Sequence, residues 1–135
     1  MSVPLTAEQQ LVEDIAGFTH DPLGYALYAF PWGEAGGPLA DEDGPDVWQR
    51  DVMGAITEAI KSGQDVGTAI QVAVASGHGI GKTALVAWLI LWYVSTHEFP
   101  QIVVTANTGT QLSAKTWREL SKWHKLSINQ HWFAW

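Results

Sequence analysis

Eight consecutive residues, Ser76-Gly77-His78-Gly79-Ile80-Gly81-Lys82-Thr83, combine the types and the spacing that hold a chain of phosphates. Gly77, Gly79 and Gly81 alternate, so backbone N–H groups can converge on an anion with no Cβ in the way. Lys82 offers a point charge that reaches β- and γ-phosphates, and the Thr83 hydroxyl is a ligand for the accompanying Mg²⁺. The pattern is that of a phosphate-binding loop for a nucleoside triphosphate, with one departure: Ser76 stands where the pattern begins with glycine. Ser is small enough for the end of a strand. A plain glycine-rich turn with a surface lysine is the other reading of the same residues, and it leaves the Lys-Thr pair without a reason.

The flanks supply the context that such a loop needs. Before it runs Ala69 to Ala75 (AIQVAVA), an apolar segment that reads as a buried strand; after it runs Ala84 to Val94 (ALVAWLILWYV), which reads as a helix whose N-terminus would add its dipole and free donors to the site. A second buried strand is expected over Gln101 to Ala106 (QIVVTA), and a last helix from a cap at Asn107 or Thr108 to about Ser127. Upstream, Thr6 precedes a helical pattern of Leu11, Val12, Ile15 and Phe18 that ends near Gly17. Asp21-Pro22 opens a short helix through Tyr25 and Tyr28 that stops before Pro31. Gly33 to Pro45 is a loop by composition, and a third helix runs from about Asp46 to Ser62, with Gly63 at its C-cap.

Helices followed by strand, helix, strand and helix imply an α/β fold: a parallel sheet with crossover helices, preceded by an N-terminal helical and acidic region. The expected organisation is residues 1–68 for that region and 69–135 for the first part of a P-loop domain. The helix after the loop is apolar on every side and must be covered all round, which two strands cannot do alone.

Composition narrows the classes. Hydrophobic residues make up 47% of a 135-residue chain, enough for one globular domain at most. With no cysteine, disulfide scaffolds and thiolate metal sites are excluded and a reducing compartment is implied. The five histidines show no ligand spacing, so no structural metal is expected. The N-terminus lacks the basic and apolar regions of a signal peptide, and the 11 residues from Ala84 to Val94 are too few to span a bilayer. The expected location is therefore cytoplasmic, with no membrane partner.

The net charge of −7 hides an asymmetry: residues 1–70 carry a balance of −10 and residues 101–135 a balance of +3. On a wheel of 100° per residue starting at Leu112, Leu120, Trp123, Leu126 and Trp117 lie on an apolar side, whereas Lys115, Arg118, Lys122 and Lys125 fall between about 220° and 300°. Such a stripe is either a solvated face or a sequence-independent contact with a phosphate backbone.

The stretches VASGHGIGKTALVAWLILWYVST and VVTANTGTQLSAKTWRELSKW resemble the ATPase domain of the large subunit of tailed-bacteriophage terminases, most strongly over residues 72–126. The resemblance implies ATP and Mg²⁺ as cofactors and double-stranded DNA as the substrate moved into a capsid. It also implies a terminase small subunit, a portal protein and further copies of the motor as partners, all in the host cytoplasm. Thr105-Ala106-Asn107-Thr108 corresponds to the segment that ends the next strand in that family, and Trp48-Gln49 to an upstream aromatic-glutamine pair whose glutamine contacts adenine. Many members place an arginine four residues before the loop lysine; here His78 stands there, so the charge that arginine supplies has no counterpart.

Hydrolysis also needs carboxylates at the end of a further apolar strand. After Lys82 the acids are Glu98, in a loop, and Glu119, mid-helix, and neither has that setting. The acids of that segment, the family's coupling motif and its nuclease domain are not in the sequence, and the apolar end HWFAW reads as a truncation. The expectation is a portion that grips nucleotide weakly and turns it over little. Two further readings stay open: another P-loop nucleic-acid motor of the helicase type, and a non-catalytic remnant of a split or degraded prophage gene.

Overall fold

The computed structural model describes residues 5–62, 81–104 and 112–133, with backbone only at 112–114. In order they form α1 (Ala7–Ala16), α2 (Pro22–Ala29), α3 (Val47–Lys61), α4 (Lys82–Thr96), a π-helical segment (Leu112–Trp117) that runs directly into α5 (Arg118–Leu126), and a 3₁₀ turn (Gln130–Trp132). The α/β expectation is thereby corrected: the regular structure of the described residues is helical throughout, with no strand and no parallel sheet. The first expected strand, Ala69 to Ala75, lies outside the described residues. Of the second, residues 101–104 form no strand and pair with no described backbone. They run instead beside α4, with Ile102, Val103 and Val104 on the edge of a groove along that helix.

Helix starts follow their caps. Thr6 and Gln9 exchange bonds, Thr6 N–H to Gln9 Oε1 at 2.9 Å and Gln9 N–H to Thr6 Oγ1 at 3.1 Å, which satisfies two donors at the start of α1. Asp21 accepts from Gly24 N–H at 3.0 Å, and Pro22 occupies the first turn of α2, where its missing N–H costs nothing. Gly81 begins α4 at φ 78°, the left-handed region that glycine enters without strain. The π-helical segment changes the register of the last helix. Its i→i+5 pairing winds the chain by less than 100° per residue, so the wheel drawn for an α-helix fails there, and Trp117, expected on the apolar side, is 38% exposed. From Arg118 onward the α-helical period holds, and Leu120 and Trp123 are buried.

The core sits between α4, α5 and α2, with Leu11 and Ile15 of α1 and Met53 of α3 closing it. Its centre is aromatic. Trp88 of α4 meets Trp123 of α5 at 5.2 Å and Trp32 at 5.8 Å, both edge-on, and Phe30 meets Trp123 at 5.0 Å. These separations fall in the range where ring quadrupoles attract. The indole N–H groups of Trp32, Trp92 and Trp123 donate to Ala26 O, Phe18 O and Glu119 Oε1, whereas Trp88 Nε1 is buried with no partner among the described residues.

Two polar ties fix the C-terminal turn on this core. Asn129 is fully buried. Its Oδ1 accepts from Tyr25 O–H at 3.1 Å, its Nδ2 donates to Ser95 Oγ at 2.9 Å, and Ser95 Oγ lies 3.3 Å from Tyr25 O–H, closing a three-membered ring of hydrogen bonds. On the surface, Glu8 of α1 accepts from Trp132 Nε1 at 2.7 Å and pairs with His131 Nε2 at 2.9 Å. No helix among the described residues is long and apolar enough to cross a membrane.

Candidate functional site

The described part of the phosphate-loop motif is its last three residues. Ser76, Gly77, His78, Gly79 and Ile80 lie outside the described residues, as does the Thr105-Ala106-Asn107-Thr108 segment. Gly81 is the N-cap of α4, and Lys82 and Thr83 form its first turn, partly buried. No described side chain caps this turn, so its N–H donors gain nothing from the device that serves α1 and α2.

The chain folds Gln49 onto this turn across a separation of 32 residues. Its Nε2 donates to Gly81 O at 2.9 Å while its Oε1 accepts from the Asp46 N–H at 2.8 Å, and the residue is 4% exposed. Gln49, which the resemblance alone assigns to the nucleotide, and the Gly81-Lys82-Thr83 end of the loop motif are therefore adjacent. They are adjacent through the amide of Gln49, each end of which makes one hydrogen bond.

Gln49, Gly81 and Ala84 form one wall of a recess of about 380 Å³. Trp32, Trp88 and Trp123 form its apolar side; Asp41, Glu42, Asp43, Asp46, Glu119 and Lys122 supply its charges. Lys122, half-exposed, stands 5.0 Å over the Trp123 ring and 3.9 Å from Glu119. Of the four basic residues on the last helix, Lys122 is thus the one brought to the recess; Lys115, Arg118 and Lys125 are exposed. Among the described residues no three His, Cys, Asp or Glu side chains are grouped so as to hold a metal ion.

Sequence reasoning missed the carboxylate and tryptophan lining of this recess. The acids lie in a stretch that reads only as a polar loop, and nothing in the spacing of Trp32, Trp88 and Trp123 says that they converge. One signal was present: Asp46 followed three residues later by Gln49 is a helix-start pattern in which the third residue reaches back to the cap N–H. Neither family models, nor curated proteins, nor solved structures match the chain.

Proposed function

We propose that the chain is the nucleotide-gripping portion of a terminase-type large subunit, a motor that uses Mg-ATP to move double-stranded DNA into viral capsids in the host cytoplasm. The observation that carries the reading is the Gly81-Lys82-Thr83 turn: a left-handed glycine opening a helix, followed at once by a cation and a hydroxyl. Helix N-termini of this kind bind anions through backbone donors and the helix dipole. The motif of residues 76–83 and the resemblance over 72–126 supply the rest of the support.

The residues fit Mg-ATP in kind. Lys82 would neutralise β- and γ-phosphate charge, and Thr83 would ligate Mg²⁺ together with the phosphates. Mg²⁺ is commonly held in this way, by few protein oxygens and several waters. Bound Mg-ATP would supply the phosphoanhydride chemistry. This chain's residues would hold and orient the phosphates. Lys115, Arg118, Lys122 and Lys125 are the proposed DNA contacts, and the small subunit, portal protein and further copies of the chain the proposed partners.

The test is titration of the chain with a fluorescent ATP analogue in the presence of Mg²⁺, with Lys82→Ala as the control. A charge-assisted hydrogen bond contributes about 1.5–3 kcal/mol, so the variant is expected to bind roughly 10- to 100-fold more weakly. Equal affinity of the two proteins would remove the reading.

A further inference from the structure

Resting on the nucleotide reading, we propose that Gln49 is a positioning residue for the phosphate grip and does not read the base. A glutamine that reads an adenine edge presents an amide N–H and an oxygen side by side to a solvent-borne ligand, so the amide must be accessible as well as have a donor and a lone pair to spare. Gln49 is placed otherwise. Its oxygen is turned to the Asp46 N–H and its nitrogen to the Gly81 carbonyl, 2.8 and 2.9 Å away, and a donor on one side with an acceptor on the other fixes which end of the amide points where. At 4% exposure the group lies beneath the surface of the recess.

What it holds is the peptide that opens α4. The Gly81 carbonyl accepts twice, from Gln49 Nε2 and from Leu85 N–H at 3.0 Å, the first bond of the helix. Fixing that carbonyl fixes the plane of the Gly81–Lys82 peptide, and hence the direction of the Lys82 N–H that a phosphate would meet. The approach is close enough that a Cβ on residue 81 would collide with the Gln49 amide and come within 3.2 Å of the Trp48 ring. Gly81 is therefore needed twice, for φ 78° and for room. Asp46 completes the device: its N–H anchors the far end of the same amide to the start of α3. Trp48-Gln49 thus act on phosphate geometry through α3 and the Gly81 peptide.

The experiment compares wild type with Gln49→Met, which keeps volume and loses both hydrogen bonds, and with Gln49→Glu, which keeps the acceptor for Asp46 but sets a carboxylate against the Gly81 carbonyl. Binding of Mg-ATP, Mg-GTP and Mg-tripolyphosphate is measured for each. In the ligand-free chain, amide NMR shifts and hydrogen exchange are read at Lys82 and Thr83 against Leu91 and Trp92. The expected result is a loss of about tenfold or more for all three probes alike, with Gln49→Glu at least as impaired as Gln49→Met. Shifted Lys82 and Thr83 amides over unchanged Leu91 and Trp92 amides are expected to accompany it; a general loss of structure would move both sets. Loss confined to ATP, with GTP and tripolyphosphate unaffected, overturns the proposal alone and restores base reading. Unchanged Lys82 and Thr83 amides in Gln49→Met also overturn it. A wild-type chain that binds none of the three probes overturns the nucleotide reading and this proposal together.

Discussion

The two long sides of α4 are made of the same kinds of residue and have opposite fates. On one, Leu85, Trp88, Leu91 and Trp92 are buried; Trp88 meets Trp32 and Trp123 edge to face, and Phe30 meets Trp123. On the other, Val86, Leu89, Ile90 and Tyr93 line an apolar groove of about 520 Å³ with Ile56 and residues 102–104, and Val103 at its rim is 88% exposed. Apolar composition alone does not distinguish them. The closed side has partners whose shape fits and whose N–H groups find acceptors nearby; the groove is open, and among the described residues no backbone pairs with residues 101–104. Stability should therefore be concentrated on one side of a helix whose sequence is apolar all round.

The sharpest way to break this contrast is to truncate a residue on each side. Trp88→Ala or Trp123→Ala removes the ring against which several others pack, and such truncations typically cost about 3–5 kcal/mol. Leu89→Ala, on the groove, is expected to cost about 1 kcal/mol, since less of its surface leaves water on folding. Trp88→Phe separates packing from polarity. It keeps an aromatic ring and deletes a buried N–H that lacks a described partner, so it should cost clearly less than Trp88→Ala. Urea unfolding of the four variants checks the order; equal losses from Trp88→Ala and Leu89→Ala would erase the distinction.

A smaller effect tests whether the closed side depends on its polar tie as well as on its rings. Asn129 is buried with Tyr25 and Ser95 as its partners, and Tyr25, itself buried, has its hydroxyl pKa pushed up by desolvation. Removing Asn129 takes the acceptor from the buried Tyr25 hydroxyl. Asn129→Ala is expected to cost about 1–3 kcal/mol, the price of an unsatisfied buried group. Tyr25→Phe removes one member while leaving the Asn129–Ser95 bond, and should cost about 1 kcal/mol. Thermal unfolding followed through the tryptophans measures both, and the reverse order would show that the ring of hydrogen bonds is not centred on Asn129.

How much of this was legible beforehand follows from the range of each signal. Caps are local, so Thr6, Asp21-Pro22 and the span of α3 could be read from neighbours a few residues apart, and the apolar run at Ala84 to Val94 named its helix. The sheet could not be read correctly, because strand character is completed by a partner: residues 101–104 have the β-branched composition of a strand, lie beside α4 and pair with no described backbone. The wheel of the last helix failed at Trp117 because a π-helical winding leaves no mark in hydrophobic spacing. At the candidate site, Gln49 and Lys82 were legible as residue types with a shared chemistry. That the Gln49 amide is spent on Gly81 was not, since a bond across 32 residues depends on how α3 and α4 are placed.

The smallest expected effect lies at the edge of the closed side, where α1 is tied to the 3₁₀ turn. Hydrogen bonds from His131 and then Trp132 to the carboxylate hold the Glu8 pKa below its ordinary value, against the opposing effect of desolvation. A carboxylate with a depressed folded pKa stabilises the fold fully above its ordinary pKa, near 4.5, and loses that contribution as pH falls through the lower folded value. Glu8 is solvent-exposed and screened, so the contribution is small. Glu8→Gln keeps an oxygen for Trp132 Nε1 and removes the charge. Its melting temperature should lie slightly below that of wild type at neutral pH, and the gap should close as pH drops below about 4. The aromatic core carries no such charge: the difference in melting temperature between wild type and Trp88→Ala should be insensitive to pH over the same range, which separates the surface tie from the packed side of α4 by measurement.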